Sequence, residues 1–236
     1  MFTKTAEFYD AIYSWKNYER ESKLLIDLIG RHKRSSGNSL LDVACGTGAH
    51  IAHLKGLFAV EGLDLDDQML AIARAKHPEI RFHRADMIDF DLGREFDVVV
   101  CLFSAIGYAK KLPMLDQAVA TMAQHVAPGG VLIIEPWLTP EKVEGAPRPP
   151  VHSLFVDRPD LKIARLNSTI VRDNMFRTRF HYLIGQNGVI HYRSEFHELG
   201  LFTHEQYLSA FSAAGLDPLH DAEGLMGRGL YFAVRG

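Results

Sequence analysis

The sequence predicts an α/β fold in which a parallel sheet carries an inserted antiparallel meander. Three patterns support this prediction: a buried strand that enters a glycine turn over residues 40–48, strand and helix patterns that alternate up to residue 135, and alternating runs between residues 160 and 198. Repeated alternation of strands and helices is typical of parallel sheets with right-handed crossovers. Polar and apolar residues that alternate with period two, separated by turn residues, indicate antiparallel hairpins.

The first pattern is a short apolar run that ends in the turn Cys45-Gly46-Thr47-Gly48. The run consists of Leu40, Leu41, Val43 and Ala44, and it is typical of a strand covered on both faces. Because Gly46 and Gly48 lack a Cβ atom, the backbone can turn sharply and a ligand can lie against it. A helix that begins after Gly48 directs free N–H groups to the same point, which favours a nucleotide-like ligand at the edge of the sheet.

The remaining elements of the first half follow in order along the chain. We expect further strands at residues 60–64, 80–83, 96–102 and 131–135. We expect helices at residues 19–34, from Asp66 or Asp67 to His77, and from Pro113 to Val126. Aspartate is a favourable N-cap, and proline in a first helical turn has no N–H group to leave unpaired.

The N-terminal segment, residues 6–18, is rich in aromatic side chains, which a solvated tail would lack. Two interpretations stay open for it. In one, Phe8, Ile12 and Trp15 simply cover the core, and in the other the segment is a lid whose tyrosines face a ligand.

The pattern changes at residue 138, where prolines at 140, 147, 149 and 150 exclude a long helix. Alternating runs near residues 160–172, 175–185 and 188–198 predict an antiparallel meander with one polar face. Turn residues separate these runs at Asp173-Asn174 and Asn187-Gly188. The first sheet then resumes with a helix capped by Thr203 and Gln206 and with strands near residues 216–221 and 229–235.

The bulk composition limits the function. A chain of 236 residues suits one domain with or without a sizeable insertion, and its net charge of -3 argues against non-specific nucleic-acid binding. The two cysteines, Cys45 and Cys101, indicate neither a disulfide framework nor a metal site. No signal-type segment and no apolar run long enough for a bilayer is visible, so we expect a soluble cytoplasmic protein.

A glycine turn of this kind can bind NAD, FAD or S-adenosylmethionine, and three features of the sequence distinguish between these ligands. Ile51 occupies the position of the third glycine in the dinucleotide fingerprint, which disfavours NAD and FAD. Asp64 ends the second strand, where an acid can hold a ribose, with a helix-capping or solvated acid as the alternative. Asp86-Met87 follows the third strand, where a carboxylate can accept from the amino group of adenine. Together these features favour an adenosyl ligand.

These residues resemble the motifs of the class I S-adenosylmethionine-dependent methyltransferases. Residues 41–48 are similar to their first motif, Gly62-Leu63-Asp64 to the acidic end of their second strand, and Asp86-Met87 to their adenine-binding pair. The resemblance extends to the bacterial TDP-amino-sugar N,N-dimethyltransferases through blocks spread over nearly the whole chain. The blocks are Tyr9-Asp10, Lys16-x-Tyr18, residues 102–108, 128–131 and 134–137, residues 201–207, and residues 227–230.

The resemblance implies a seven-stranded Rossmann-like methyltransferase sheet with an inserted antiparallel β meander. It divides the chain into a cofactor-binding domain with an N-terminal lid, residues 1–137 and 200–236, and a meander for substrate or dimer contacts, residues 138–199. The cofactor would be S-adenosyl-L-methionine. Its implied contacts are Tyr18, Ala44, Gly46, Gly48, Asp64, Leu65, Met69, Asp86, Met87, Leu102 and Phe103.

The acceptor side is predicted from aromatic and charged residues around the turn. Tyr9, Tyr13 and Tyr108 are candidates to surround the acceptor nitrogen and take its proton, with packing in the lid as the alternative. Glu135 lies at the end of the fifth strand, and Trp137 either stacks on a sugar or base or anchors the meander. Arg228, in a Gly-Arg-Gly block, would bind the pyrophosphate of a nucleotide sugar, with a surface arginine as the alternative.

The predicted function is therefore N-methylation of a small-molecule amine, with a TDP-linked deoxy amino sugar in natural-product biosynthesis as the leading acceptor. Methylation of an aminoglycoside, a peptide N-terminus or a hydroxyl stays open, as does a catalytically silent partner subunit. A DNA amino-methyltransferase is disfavoured because residues 101–104 lack the Asn/Asp-Pro-Pro-aromatic tetrapeptide. Methyl transfer from a sulfonium needs no metal, and the resemblance also implies a homodimer formed through the meander.

Overall fold

The computed structural model describes residues 5–144 and 151–236, and its strands form two sheets. The first sheet contains β1 Ser39–Val43, β2 Ala59–Asp64, β3 Arg81–Arg84, β4 Phe96–Cys101, β5 Val126–Ile134, β10 Leu219–Asp221 and β11 Leu230–Val234. The second contains β6 Val151–Asp157, β7 Lys162–Arg172, β8 Met175–Gln186 and β9 Val189–Gly200. The spatial order is β10-β11-β5-β4-β1-β2-β3 in the first sheet and β6-β7-β8-β9 in the second.

The helices lie between these strands much as the sequence pattern predicts. They are α1 Tyr9–Ile12, α2 Tyr18–His32, α3 Ile51–Leu54, α4 Asp67–Lys76, α5 Leu112–Gln124, α6 Pro140–Glu144 and α7 His204–Ala213, with 3₁₀ turns at Ala6–Phe8 and Ala105–Ala109. Asp66 caps α4, and Thr203 and Gln206 form the predicted capping box of α7. Among the residues that the structure describes, no helix has the length and apolar character needed to cross a membrane.

The first sheet is parallel from β3 to β5 and places β1 at its centre. β1 pairs with β2 on one side and with β4 on the other, while β11 runs antiparallel to both β5 and β10. Apolar side chains of these central strands are fully buried and contribute to two core clusters. The predicted α/β fold, a seven-stranded Rossmann-like sheet with an antiparallel meander, is confirmed.

One strand of the first sheet differs from the prediction. The helix expected to reach Val126 ends at Gln124, and β5 already begins at Val126. The pairing of β5 with β4 shifts register between Phe96 and Val98. A bulge of this kind accommodates the proline and the glycines at 128–130 within the strand, so these residues do not form the expected loop.

The second sheet has four strands where the sequence pattern predicted three runs, because residues 151–157 add β6 at one edge. Two-residue turns join its longer strands, since Arg172 pairs with Met175 and Gln186 pairs with Val189. The four turn residues Asp173, Asn174, Asn187 and Gly188 have φ angles between 53° and 76°. Positive φ at both central residues is the requirement of a type I′ hairpin turn.

The prediction that the meander has one polar face is wrong. A two-residue turn makes the odd-numbered residues of one strand face the same way as the even-numbered residues of the next. Arg179 of β8 therefore pairs with Phe196 of β9, and its guanidinium lies 5.3 Å from the Phe196 ring centroid. Glu195 and His197 face inward instead, where they are 5% and 1% exposed.

The N-terminal segment lies between the meander and the glycine turn. Phe8 and Ile12 are buried against apolar side chains of β6, β7 and β8, whereas Trp15 is 58% exposed. The interpretation that the segment covers the core therefore holds for Phe8 and Ile12 but not for Trp15. Asp10 fastens the segment to the turn, because it accepts a hydrogen bond from the Thr47 hydroxyl at 2.6 Å and pairs with Lys76 at 2.8 Å.

Candidate active site

A cavity of about 1000 Å³ lies at the carboxyl ends of the parallel strands. Its lining comes from the glycine turn after β1, the loops after β2, β3 and β4, the N-terminal segment and the meander. Open α/β sheets bind their ligands in the crevice outside this edge. The cavity is therefore the candidate active site.

The glycine turn bends the backbone beside this cavity. Ala44, Gly46 and Gly48 have φ angles of 59°, 55° and 74°. A Cβ atom at Gly46 would meet no heavy atom within 4 Å, whereas one at Gly48 would lie 2.9 Å from the ring of His77. Gly46 thus leaves open space for a ligand, and Gly48 lets the turn pack against the end of α4.

Asp64 connects the end of β2 to the glycine turn. Its Oδ2 accepts a hydrogen bond from the Gly46 amide at 2.8 Å, and its Oδ1 accepts one from the Asp66 amide at 2.9 Å. Burial raises the pKa of Asp64, while the amide hydrogen bonds act in the opposite direction. Because each carboxylate oxygen can accept more than one hydrogen bond, this cavity-lining side chain can also bind a pair of hydroxyl groups.

A mainly apolar slot lies next to Asp64. Its lining includes Leu65, Met69, Met87 and Leu102, together with the carboxylate of Asp86. Asp86 Oδ1 accepts a hydrogen bond from the Ile88 amide at 3.1 Å, which fixes the loop after β3. Apolar walls with a single carboxylate suit a planar ring that carries an amino group.

The backbone after β4 is strained where it borders the cavity. Phe103 and Ser104 have consecutive φ angles of 51° and 62°. Such left-handed conformations in residues other than glycine persist only where the surroundings hold them. The Phe103 amide donates to Glu135 Oε2 at 2.6 Å, and the Ser104 hydroxyl donates to the Pro136 carbonyl at 2.7 Å.

Glu135, predicted to contact substrate, lies beneath this strained turn and is absent from the cavity lining. Its side chain is fully buried, and its Oε1 has no hydrogen-bond partner among the described residues. Burial raises the pKa of Glu135, and the charges of Arg228 and Lys16 oppose that rise. Its contacts support the Phe103 backbone from below.

Arg228 lines the cavity beside Trp137, so the alternative of a surface arginine is wrong. Its Nη1 donates to the Ser104 hydroxyl at 2.7 Å, and its guanidinium carbon lies 4.8 Å from the Trp137 ring centroid. The guanidinium therefore lies against the Trp137 ring at the cavity wall, within the range of a cation–π contact.

The three predicted tyrosines surround the same part of the cavity. The ring centroids of Tyr9 and Tyr13 are 4.7 Å apart, and Tyr13 packs edge-on against Phe103 at 5.3 Å. The Tyr108 hydroxyl lies 2.7 Å from His197 Nδ1. Burial raises the pKa of all three tyrosines, so their hydroxyl groups remain protonated at neutral pH.

All but three of the predicted site residues line this single cavity, and the three are Tyr18, Gly48 and Glu135. Tyr18 begins α2 and packs edge-on against His50, with ring centroids 4.9 Å apart. The roles assigned to individual residues stay predictions.

Lys16 is a buried charge that the sequence analysis noted only as part of a family block. It pairs with Glu21, and its ammonium nitrogen lies 4.3 Å from the Phe103 ring centroid. His50 Nε2 contacts the same Glu21 carboxylate at 2.9 Å. A lysine within an aromatic segment, five residues before a glutamate, was the available signal.

The inner face of the meander supplies the other residues that the sequence analysis missed. The cavity-lining polar residues there are His152, Arg165, Asn167, Thr169, Thr178 and His197. For the residues of β7, β8 and β9 this shared orientation follows from the two-residue turns, so the turn residues in the sequence were the signal. His152 lies on β6 and joins the same face by pairing with Asn167. No group of histidine, cysteine or acidic residues in the described ranges has the geometry of a metal site.

Comparisons with known proteins match this arrangement. A family model described as a methyltransferase domain matches residues 40–130. The dTDP-3-amino-3,6-dideoxy-alpha-D-glucopyranose N,N-dimethyltransferase of Streptomyces fradiae is 41% identical over 98% of this chain and 91% of that protein.

Solved structures extend the similarity to the whole fold. DesVI from Streptomyces venezuelae superposes with a TM-score of 0.90 at 37% identity and covers 98% of both chains. CalS10 with bound SAM, an amino pentose methyltransferase from Micromonospora echinaspora involved in calicheamicin biosynthesis, superposes with a TM-score of 0.85 at 38% identity over 97% of this chain and 96% of that one. The similarity therefore includes both sheets.

Proposed function

The chain belongs to the family of dTDP-amino-sugar N,N-dimethyltransferases, and we propose that it methylates the amino group of a dTDP-linked deoxy amino sugar in natural-product biosynthesis. It is a class I S-adenosylmethionine-dependent methyltransferase. The observation that carries the proposal is the overlap with the Streptomyces fradiae enzyme over 98% of this chain. Because that overlap includes the meander, it reaches beyond the cofactor-binding sheet to the other wall of the cavity.

The residues at the edge of the first sheet fit S-adenosylmethionine. Asp64 accepts hydrogen bonds from the ribose hydroxyls, and Asp86 with Met87 meets the adenine. Leu65, Met69, Leu102 and Phe103 cover the adenosine, while Ala44 and Gly46 line the methionine part. Tyr18 and Gly48 lie outside the cavity lining and have no direct contact assigned to them. The open space beside Gly46 and the unused lone pairs of Asp64 support this assignment.

The methyl acceptor lies on the tyrosine side of the cavity. When bound, S-adenosylmethionine supplies a methyl group on a positively charged sulfur. Tyr9, Tyr13 and Tyr108 orient a neutral amine so that its lone pair points at that methyl group. Such alignment of two reactants contributes up to about 7–11 kcal/mol to catalysis, so positioning supplies most of the rate.

The nucleotide-sugar part of the acceptor meets Trp137 and Arg228. Trp137 stacks on an apolar sugar or base face, and Arg228 offers N–H donors to phosphate oxygens. Glu135 contributes to acceptor binding without contacting the acceptor. Its carboxylate accepts the hydrogen bond of the Phe103 amide, and its negative charge attracts Arg228.

A mass-spectrometric screen tests the proposed function. Purified protein and S-adenosylmethionine are incubated with dTDP-amino sugars, the corresponding free amino sugars, an aminoglycoside and a peptide with a free N-terminus. We expect mass gains of one or two methyl groups on a dTDP-amino sugar only. Methylation confined to another acceptor would overturn the substrate class, and no methylation of any acceptor would favour a silent partner subunit.

A homodimer formed through the outer face of the meander is part of this proposal. Large apolar side chains are exposed there, namely Phe155, Leu166, Ile170, Leu183, Ile190 and Tyr192. A contiguous exposed apolar face is typical of a protein interface. Light scattering with size-exclusion chromatography should give a dimer for the native chain and a monomer for the double variant Leu183→Lys/Ile190→Lys. A native monomer would contradict the dimer.

A further inference from the structure

Arg165 occupies the centre of the cavity-facing side of the meander. It lies on β7, where it pairs with Leu154 of β6 and with Tyr182 of β8. Its guanidinium carbon is 4.7 Å from the Phe180 ring centroid and 5.8 Å from that of Tyr13. Both rings and Arg165 itself line the cavity.

Arg165 forms a side-chain hydrogen bond with Tyr13, but two of its three guanidinium nitrogens have no partner within the described part of the chain. Its Nε and Nη1 atoms are buried and have no hydrogen-bond acceptor there. Other arginines differ: Arg177 binds Glu198 at 3.1 Å and Arg193 binds Glu7 at 2.8 Å. A buried cationic donor without an acceptor costs free energy, so it is expected where a ligand completes the contact.

Stacking on aromatic rings does not account for these donors. An aromatic ring offers no hydrogen-bond acceptor in the plane of a guanidinium, where all of its N–H groups lie. That planar edge matches the spacing of two phosphate oxygens and can bind both at once. The contacts with the two rings therefore position the guanidinium but leave its Nε and Nη1 atoms without a hydrogen-bond acceptor among the described residues.

The charges around the cavity are unevenly distributed. Outside the meander the lining holds three carboxylates, Asp64, Asp66 and Asp86, and two cations, Lys110 and Arg228. On the meander, the side chains next to Arg165 are the neutral Asn167, Thr169 and Thr178. Two acids lie nearby on β9: Glu195, whose Oε2 accepts the Thr5 hydroxyl at 2.8 Å, and the cavity-lining Glu198, which pairs with Arg177 at 3.1 Å and with Lys110 at 3.6 Å. An anionic ligand group is thus favoured at the meander side.

We propose that Arg165 binds the diphosphate of the nucleotide-sugar acceptor. The proposal rests on the proposed function, since that function requires a ligand with a diphosphate. Arg228 already donates a hydrogen bond to Ser104 and interacts with the negative charge of Glu135. Its charge is therefore less available than that of Arg165 for binding a diphosphate. The phosphate groups are then held against the meander, and the sugar amine is directed toward the tyrosines.

Binding of thymidine, dTMP and dTDP tests this assignment without methyl transfer. Isothermal titration calorimetry should show affinity that rises with each phosphate in the native protein. Arg165→Met should bind thymidine as the native protein does but lose roughly ten- to a hundredfold in affinity for dTDP, because hydrogen bonds to charged groups are lost. Arg165→Lys, which keeps the positive charge but not the planar set of N–H donors, should give an intermediate loss of affinity for dTDP.

Matched controls separate this role from others. Arg158→Met changes an exposed arginine outside the cavity lining and should leave all three affinities unchanged. If Arg165 only supports the fold, Arg165→Met would lower the melting temperature and weaken thymidine and dTDP equally, which overturns the assignment. If the native protein does not distinguish dTDP from thymidine, the proposed substrate class fails and this assignment fails with it.

Discussion

Asp64 links the end of β2 to the glycine turn at the cavity wall. Its carboxylate accepts hydrogen bonds from the amides of Gly46 and Asp66. Asp64→Ala removes the acceptor for these amides and for the ribose hydroxyls at once. We expect the affinity for S-adenosylmethionine, measured by calorimetry, to fall roughly ten- to a hundredfold.

The amide variant Asp64→Asn is the matched control for this prediction. It preserves the shape of the side chain and one acceptor oxygen, so its affinity should lie between those of the native and alanine forms. An alanine variant that binds S-adenosylmethionine as tightly as the native protein would show that the cofactor pocket is wrongly assigned.

Glu135 acts on the cavity through the backbone of Phe103. Glu135→Gln retains a carbonyl oxygen for the Phe103 amide, so its affinity for S-adenosylmethionine should stay within about threefold of native. Glu135→Ala leaves that amide without its acceptor next to two strained residues, and the affinity should fall more than about tenfold. Equal effects of the two variants in a fluorescence binding titration would contradict this supporting role.

Asp42, in the middle of β1, should make stability depend on pH. Burial, with a smaller contribution from Asp64, raises its pKa from 3.8 to about 8. A raised acid pKa means that stabilisation is complete below the unfolded pKa and is lost as pH rises through the folded one. A shift of this size corresponds to about 5 kcal/mol between pH 4 and pH 8.

The variant Asp42→Asn isolates this effect because its side chain does not titrate. Urea denaturation of both proteins should show the free energy of unfolding of the native chain declining relative to the variant between pH 5 and pH 8.5. A difference that is constant across this range would mean that Asp42 is ionised in the folded protein throughout.

The sequence predicted residues of the site well where their position follows from strand order. Asp64 ends the parallel strand β2 and Asp86 lies two residues after β3, and such strand ends meet at one edge of the sheet. Glu135 also follows a strand, but whether its side chain enters the cavity or supports it depends on the backbone turn at Phe103. Positive φ at a phenylalanine has no signature in the sequence.

At the level of elements, the meander shows that a turn determines which residues of two strands pair and which face each side chain lies on. The turn residues Asn187-Gly188 identify a two-residue type I′ hairpin, which fixes the pairing of Gln186 with Val189. Counting outward from that pair places His197 opposite Thr178 on the inner face. Polarity alone suggested one polar face, because it treats each strand separately and ignores register.

The N-terminal segment is held over the glycine turn chiefly by Asp10. Asp10→Ala removes its contacts with Thr47 and Lys76 while the apolar packing of Phe8 and Ile12 remains. We expect faster amide hydrogen exchange over residues 5–16 and a severalfold faster release of S-adenosylmethionine in stopped-flow measurements.

A control for this prediction lies on the adjacent helix α2. Glu19→Ala removes an exposed ion pair with Lys23, at 2.6 Å, that does not touch the turn. Exchange and release should stay at native values in this variant. If Asp10→Ala behaves in the same way, the segment does not act as a lid.

On the scale of the whole molecule, the two sheets supply different side chains to the lining of one cavity. The parallel sheet supplies carboxylates at its edge, and the meander supplies Arg165 with neutral polar groups and Glu198, whose charge is paired with Arg177 and Lys110. This distribution complements a cationic sulfonium cofactor on one side and an anionic nucleotide sugar on the other. In the proposed complex, the amine and the methyl group would meet between the two walls, close to Tyr9, Tyr13 and Tyr108.

A crystal structure of the ternary complex with S-adenosylhomocysteine and a dTDP-amino sugar tests this central claim most directly. We expect the ribose on Asp64, the diphosphate against the meander, and the amine nitrogen facing the sulfur from the side of the tyrosines. A nucleotide sugar bound outside the cavity between the sheets, or an amine directed away from the sulfur, would contradict the account.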